Sequence, residues 1–232
     1  MTALGDHNAM QQPRRAAPNR AQAGYLRGYG FTPDVVADVG VHSGTPQLYR
    51  AFPDCKFVLI DPRAEAEAET RARLAPRDYD FLACAAGAED GELELRIPVT
   101  HKGTTAPAMA GFKPITGPMA RIVRSHETRT VPVRPLDRIL EPYPGCVGLK
   151  IDTEGFELEV LQGAAQTLRR CEFVILELSL IRRFDGVAAP SRIIAELARA
   201  GLELRDVLRR AGDGRGGPRP RLFDALFTRW EA

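Results

Sequence analysis

Two apolar runs joined by a glycine-bearing loop constrain this chain more than any other feature. Residues 35–44 read Val-Val-Ala-Asp-Val-Gly-Val-His-Ser-Gly, and a second run, Lys56-Phe-Val-Leu-Ile, ends at Asp61. Short, continuous apolar runs of this kind fit strands buried on both faces. Gly40 and Gly44, in a D-x-G-x-x-x-G arrangement with Asp38, permit positive φ and close backbone approach. Such a loop belongs at the carboxyl end of the first strand, where open α/β sheets place their ligands. Asp61 then falls where a carboxylate can accept hydrogen bonds from the vicinal hydroxyls of a ribose. The Asp61-Pro62 step equally fits a helix N-cap with proline at the first helical position, and the two roles are compatible.

The spacing departs from the G-x-G-x-x-G of dinucleotide enzymes, because His42 stands where the second glycine belongs. That directs the reading away from a nicotinamide cofactor and towards S-adenosylmethionine. Ser43 is placed to cap the helix that follows. A plain strand-to-helix turn without a ligand is the competing reading of the loop, and Asp61 weighs against it.

Bulk properties narrow the class. A chain of 232 residues fits one large α/β domain, and 44% hydrophobic with 27% charged residues is ordinary for a globular protein with a sizeable core. A formal net charge of +2, without a basic stripe and interleaved aromatics, speaks against nucleic acid as partner. Cys55, Cys84, Cys146 and Cys171 lack C-x-x-C spacing, so neither a zinc site nor a disulfide framework is expected, and a reducing cytoplasm suits them. No apolar run reaches the ~18 residues of a membrane span, and the N-terminus lacks an apolar signal core, so a soluble intracellular protein is expected.

Residues 1–24 are polar and aperiodic and read as a flexible leader; residues 25–232 read as a single domain of alternating strands and helices. Strands are predicted at 35–40, 56–61, 79–85, 92–98, 147–152, 173–178, 203–208 and 222–229. Helices are predicted at 44–52, 63–74, 155–169 and 190–200, with a short turn near 136–140. Phe156, Val160, Leu161, Ala164 and Leu168 make 155–169 the clearest of these. The last two strands flank the Gly/Arg/Pro-rich segment 211–221 and are expected as an antiparallel pair at the sheet edge. Residues 99–130 carry weak helical signal around 118–125 and read as a lid-like insertion on the substrate side.

A second constellation is Gly148-Leu-Lys-Ile-Asp-Thr-Glu-Gly, in which an apolar strand ends on Asp152, Glu154 follows, and Gly155 opens a helix. Acids at that place orient a substrate hydroxyl, act as a general base, or hold a cation. Helix-end capping is the alternative, because carboxylates complement the dipole there. Glu157 and Glu159, one turn on, are expected to be solvated.

Taken together, VVADVGVHSG, VLIDP, VRPLDRIL, GLKIDTEGFELEVLQGA and FVILEL resemble the FkbM-type S-adenosylmethionine-dependent methyltransferases over roughly residues 33–180. The resemblance implies an α/β class I methyltransferase (Rossmann-like) fold. That is a seven-stranded, mostly parallel sheet with helices on both faces and the last strand antiparallel. It also implies O-methylation of a hydroxyl on a sugar moiety or other small secondary metabolite, with S-adenosylhomocysteine as product. Position by position, Asp38, Gly40 and Gly44 match the cofactor loop, with His42 (where the family more often has Asn) and Ser43 between the glycines. Asp61 matches the ribose-binding acid, although Glu is more usual there, and Asp152, Glu154 and Gly155 match the family's D-x-E-G. Strand 79–85 should end beside the adenine, making Cys84 and Ala85 walls of that pocket.

An alcohol must lose its proton as it accepts a methyl group, so a base is needed within reach. His42, His101, His126, Asp152, Glu154 and Glu177 are the candidates. His101 is preferred among the histidines because its ordinary pKa suits the role and it begins the insertion; an exposed loop histidine is its alternative. The expected catalytic set is thus Asp152, Glu154 and His101, with Asp152 also facing the cofactor. Asp152 and Glu177 end neighbouring strands and could hold Mg²⁺, but two acids make a weak signal and a metal is not favoured. Lys102, Lys113, Arg121 and Arg124 in the insertion could receive an acidic or phosphorylated substrate or be merely solvated, and they do not select a substrate. The expected partner is a small hydroxylated molecule, glycosylated or not, with neither nucleic acid nor membrane, and a homo-oligomer is compatible with the sequence. The alternative function is a catalytically silent S-adenosylmethionine-binding regulatory or scaffold protein. A nucleotide-dependent oxidoreductase is disfavoured by the glycine spacing.

Overall fold

The computed structural model describes residues 22–211 and 220–230. In chain order it contains α1 (Ala23–Arg27), β1 (Val35–Val39), α2 (Pro46–Ala51), β2 (Lys56–Ile60), α3 (Ala66–Arg73), β3 (Asp78–Leu82), β4 (Ala85–Gly87) and β5 (Gly91–Thr100). A 3-10 turn at Pro107–Met109 and α4 (Gly117–Ala120) lead to β6 (Val123–Pro135), α5 (Leu136–Ile139) and β7 (Val147–Ile151). Then follow α6 (Glu157–Gln162), α7 (Ala165–Arg170), β8 (Cys171–Ser179), α8 (Pro190–Arg199), β9 (Leu202–Ala211) and β10 (Leu222–Arg229).

Seven strands form the main sheet in the order β3-β2-β1-β7-β8-β10-β9. Every residue of β1 is buried, as its unbroken apolar run requires. Alternation then divides the core. Val35, Ala37 and Val39 pack with Leu161, Leu168 and Leu197 on one face, and Val36 packs with Phe57, Leu48 and Tyr49 on the other. β1 pairs in parallel with β2 on one side and β7 on the other, which sets Asp38 opposite Lys150. Strand order reverses at this pair, the switch point where a crevice opens beyond the strand ends. β10 runs antiparallel to β8 and β9, so the expected antiparallel pair is present, with β9 as the edge strand and β10 inside it.

Several elements differ from the sequence expectation. The strand expected at 92–98 lies outside the main sheet, in a second sheet of order β4-β6-β5. The run 79–85 is divided between the two sheets: β3 ends at Leu82, and β4 pairs with Val133 to Pro135 of β6. Residues 123–130, read as part of a lid, are instead the first half of β6 and pair with β5 as a long antiparallel ribbon. Their side chains are almost all exposed, so backbone pairing and not burial makes the strand, and no apolar alternation announces it. The helix expected at 155–169 is two helices. A Cβ at Gly163 would lie 2.0 Å from the Gly87 carbonyl oxygen, so the chain bends where it rests on β4. Asp137, from the VRPLDRIL run, then receives the backbone N–H groups of Gln166 (2.9 Å) and Thr167 (2.7 Å) and caps α7 from outside. Of the expected leader, residues 23 and 24 begin α1 and residues 1–21 lie outside the described residues, as does most of the 211–221 turn. Among the described residues, no helix is long and apolar enough to cross a membrane.

Asp137→Ala is expected to destabilise the fold by about 1–2 kcal/mol through loss of the α7 cap. Gly163→Ala should cost more, because its methyl has no room against the Gly87 carbonyl. Urea unfolding of the two variants checks both; a Gly163→Ala variant as stable as the wild type would refute the packing argument.

Candidate functional site

A cavity of about 540 Å³ opens at the carboxyl ends of β1, β2, β7 and β8. Gly40, His42, Ser43 and Gly44 form one wall. Gly40 has φ 80°, and a Cβ there would fall 1.9 Å from the carbonyl oxygen of Asp152. Gly44 has φ 91°, with Thr70 and Tyr49 atoms 3.0 and 3.2 Å from a Cβ. Both glycines are therefore required by the protein's own packing, and the main chain they leave bare also faces the cavity. Asp61, almost fully buried, accepts the backbone N–H of His42 at 2.7 Å and of Arg63 at 2.9 Å, which ties the loop to the end of β2. Burial raises its pKa. A carboxylate has more lone pairs than these two bonds use, so hydroxyls remain acceptable partners.

Ser43 does not cap α2: the N-cap is Thr45, which makes no side-chain cap bond. The Ser43 Oγ instead lies 3.1 Å from His42 Nδ1 and accepts a hydrogen bond from Arg73 at 2.9 Å. Burial and the Arg63 charge lower the His42 pKa. Cys84 and Ala85 line the cavity beside Ala86, and the insertion adds Pro107, Ala108 and Ala110. His101 lies outside this assembly, exposed on the turn after β5 with its N–H donated to the Ile122 carbonyl, and it is not among the residues that line the cavity. His126 is exposed on β6, as are Lys102, Arg121 and Arg124 in the insertion.

The opposite wall is ionic. Asp38 does not line the cavity; fully buried beneath it, it accepts the Tyr49 hydroxyl at 2.8 Å and forms an ion pair with the Lys150 ammonium at 3.1 Å. Lys150 lies 3.7 Å from Asp152 as well. Burial pulls the Lys150 pKa down, but Asp38 and Asp152 outweigh it and hold the ammonium firmly protonated. Lys150 is not among the sequence-predicted site residues, although alternation continued past β7 puts it on the same face as Asp152. Asp152, Glu154 and Glu177 each bring a carboxylate oxygen within 4.8 Å of the others, the adjacency expected of Asp152 and Glu177. Arg183, also unanticipated, bonds Glu154 at 2.6 Å and Glu177 at 2.8 Å, and Arg209 joins Glu177 (3.3 Å) to Asp224 (2.7 Å). The guanidinium groups thus pair with Glu154 and Glu177, two of the three acids of the cluster, and Lys150 with the third.

Among the described residues, the two non-glycine residues in left-handed backbone are His42 (φ 51°) and Glu154 (φ 52°), and both line this cavity. Such a conformation costs roughly 1–2 kcal/mol per residue. Burial, with Asp152, Glu177 and Glu157 nearby, pushes the Glu154 carboxyl up to about 8 against the pull of Arg183. Burial and Asp152 push Glu177 up to about 7. Glu157 is buried, contrary to expectation: it accepts the Thr153 and Gly155 N–H groups and braces the turn on which Glu154 sits. Glu159 pairs with Lys113 at 2.8 Å instead of being merely solvated.

Two outcomes are expected. A carboxyl whose pKa is higher folded than unfolded favours folding fully at low pH, and the contribution is lost as pH rises from its ordinary 4.5 to about 8. The stability of Glu154→Gln relative to wild type should therefore grow across that interval, as urea unfolding at pH 5 and pH 8.5 will show. Lys150→Met, which strands Asp38 in the core, should cost about 3–5 kcal/mol in the same assay.

The methyltransferase FkbM domain model matches residues 34–213. Among solved structures, a methyltransferase FkbM from Methylobacillus flagellatus KT aligns with a TM-score of 0.53 and 15% identity, covering 91% of this chain and 48% of that one. Magnesium protoporphyrin IX methyltransferase (ChlM) from Synechocystis PCC 6803, with bound SAM, aligns with a TM-score of 0.46 and 12% identity, covering 90% and 76%. The 1,6-didemethyltoxoflavin-N1-methyltransferase of Burkholderia thailandensis, with bound 1,6-didemethyltoxoflavin and S-adenosylhomocysteine, aligns with a TM-score of 0.45 and 13% identity, covering 92% and 78%. The chain spans about half the length of the FkbM structure it matches. No curated protein matches it. The fold is that of class I methyltransferases, with the seven-stranded sheet and antiparallel last strand described above. With the domain model running from β1 to the end of β9, the chain belongs to the FkbM methyltransferase family.

Proposed function

We propose that this chain is an S-adenosylmethionine-dependent O-methyltransferase acting on a hydroxyl of a sugar moiety or other small metabolite in the cytoplasm. The observation that carries the reading is one cavity with two chemically distinct walls. One is a glycine loop with a buried acid and an apolar shelf; the other is a cluster of carboxylates in which the pKa values of Glu154 and Glu177 are raised. S-adenosylmethionine, when bound, supplies an electrophilic methyl group on a sulfonium. The remaining lone pairs of Asp61 suit ribose hydroxyls, and Cys84, Ala85 and Ala86 offer an apolar wall for adenine. His42, Ser43 and the bare main chain at Gly40 and Gly44 suit the methionine end.

Asp152 and Glu154 serve the acceptor. Methyl transfer is an in-line displacement, so holding the hydroxyl in place supplies much of the rate. Glu154, its pKa pushed up to about 8, is a stronger base than an ordinary carboxylate, and its ionised form, present at mildly alkaline pH, is matched to taking the alcohol proton. His101, exposed outside the cavity, has no part in this reading. The acceptor is a small hydroxylated molecule; the modest net charge and the carboxylate-rich wall favour neither nucleic acid nor a lipid surface.

Calorimetry with S-adenosylmethionine is the primary test, and absence of binding to the wild type would sink the proposal. Asp61→Ala is expected to weaken that binding by about tenfold or more, the worth of one or two lost hydrogen bonds. Against a panel of hydroxylated small molecules, Glu154→Gln should lower kcat by about 10²–10⁴ while cofactor affinity stays within a few fold.

A further inference from the structure

We propose that Arg183 is a positioning residue for methyl transfer, holding the strained Glu154 carboxylate at the acceptor end of the cavity by bridging it to Glu177. The inference rests on the methyltransferase reading above. Arg183 follows β8, and its side chain is only 13% exposed. One guanidinium nitrogen donates to Glu154 Oε2 at 2.6 Å and another to Glu177 Oε1 at 2.8 Å. This is the fork geometry that a planar guanidinium supports and an ammonium does not.

The arginine is itself held. Its carbonyl accepts the Thr116 N–H at 2.8 Å, and the Thr116 hydroxyl donates to the Arg182 carbonyl at 3.0 Å. The Asp185 N–H reaches the Pro114 carbonyl at 2.8 Å, and Lys113 donates to the Gly186 carbonyl at 3.1 Å. The second half of the insertion and the segment after β8 thus clasp each other by main chain on both sides of Arg183. Phe184, buried beside it, lies 5.3 Å from the guanidinium carbon at its ring centre. The same ring packs against Gly155, where a Cβ would fall 2.8 Å from it. Arg183 and Phe184 therefore grip the residue after Glu154 as well as Glu154 itself. A left-handed glutamate next to a left-handed glycine needs outside support: Glu157 braces its backbone turn, and the clasp holds its side chain.

Arg183 is the cation bonded to Glu154, with Asp152, Glu157 and Glu177 the acids about it and Lys150 and Arg209 further along the same wall, so its removal has a defined sign. Protein labelled with ¹³C at glutamate carboxyls, with Glu154→Gln to assign the resonance, reads the Glu154 titration in the absence of any acceptor. In Arg183→Met the midpoint should rise by one pH unit or more, with S-adenosylmethionine affinity by calorimetry within about threefold of wild type. In Arg183→Lys, which keeps the charge and loses the fork, it should move upward by more than half a unit. An unmoved midpoint in Arg183→Met overturns the proposal. Should Arg183→Met fail to fold, Arg183→Lys decides alone: a displaced midpoint in a folded, cofactor-binding variant supports the role, and an unchanged one overturns it. Wild-type protein that does not bind S-adenosylmethionine defeats the methyltransferase reading instead, a result separate from the behaviour of Arg183.

Discussion

An ammonium buried between two carboxylates at the centre of the sheet is the constraint on which the rest of the site depends. Lys150 and Asp38 face each other across β7 and β1, and Asp152 stands two residues on from Lys150, just past the end of β7. A buried ion group of this kind adds little net stability, because desolvation consumes most of the Coulomb gain, yet removing one member leaves an unpaired charge in the core. Its effect is to specify. Only one pairing of β1 with β7 brings the three groups together, and in that pairing the carbonyl of Asp152 presses against Gly40 so closely that no side chain fits there.

From that centre acidic and basic groups spread across the strand ends, Asp152 and Glu154 being adjacent groups of like sign. Asp38, Lys150 and Asp152 are followed by Glu154, Arg183, Glu177, Arg209 and Asp224, each ion within reach of one of opposite sign. The basic members keep the acids from dispersing into solvent, and burial keeps two of the acids from ionising at the usual pH. A carboxylate cluster that is both crowded and only partly ionised is suited to moving a proton. The other wall, built on Asp61 and the His42–Gly44 loop, is organised by backbone hydrogen bonds to one buried acid.

Much of this architecture was legible in the chain because burial writes itself into sequence. The run Val35 to Val39 reads as a strand buried on both faces, and Val35 and Val36 do enter opposite halves of the core. The antiparallel final pair follows from two strands separated by a Gly/Arg/Pro-rich turn. Where a strand is held by backbone pairing alone, that signal vanishes: the exposed first half of β6 looks like a polar loop until β5 is laid beside it. The single helical stripe from Phe156 to Leu168 likewise hides a bend, since periodicity does not register that Gly163 must pass over the Gly87 carbonyl.

The sequence by itself determined the buried central strands, the crevice at their carboxyl ends, the acid at the end of β2 and the acids that follow β7, because each follows from local pattern and spacing. Tertiary structure alone decided what the acids are bonded to. Arg183 and Arg209 lie far from Asp152 in the chain, and no spacing rule predicts that loops after β8 and along β9 will deliver guanidinium groups to the same wall. It also left His101 on the surface and turned Glu157 inward, since a side chain's surroundings are set by elements distant in sequence. For the same reason the pattern of the loop glycines suggests room for a ligand, whereas what requires them first is the close approach of the protein's own chain.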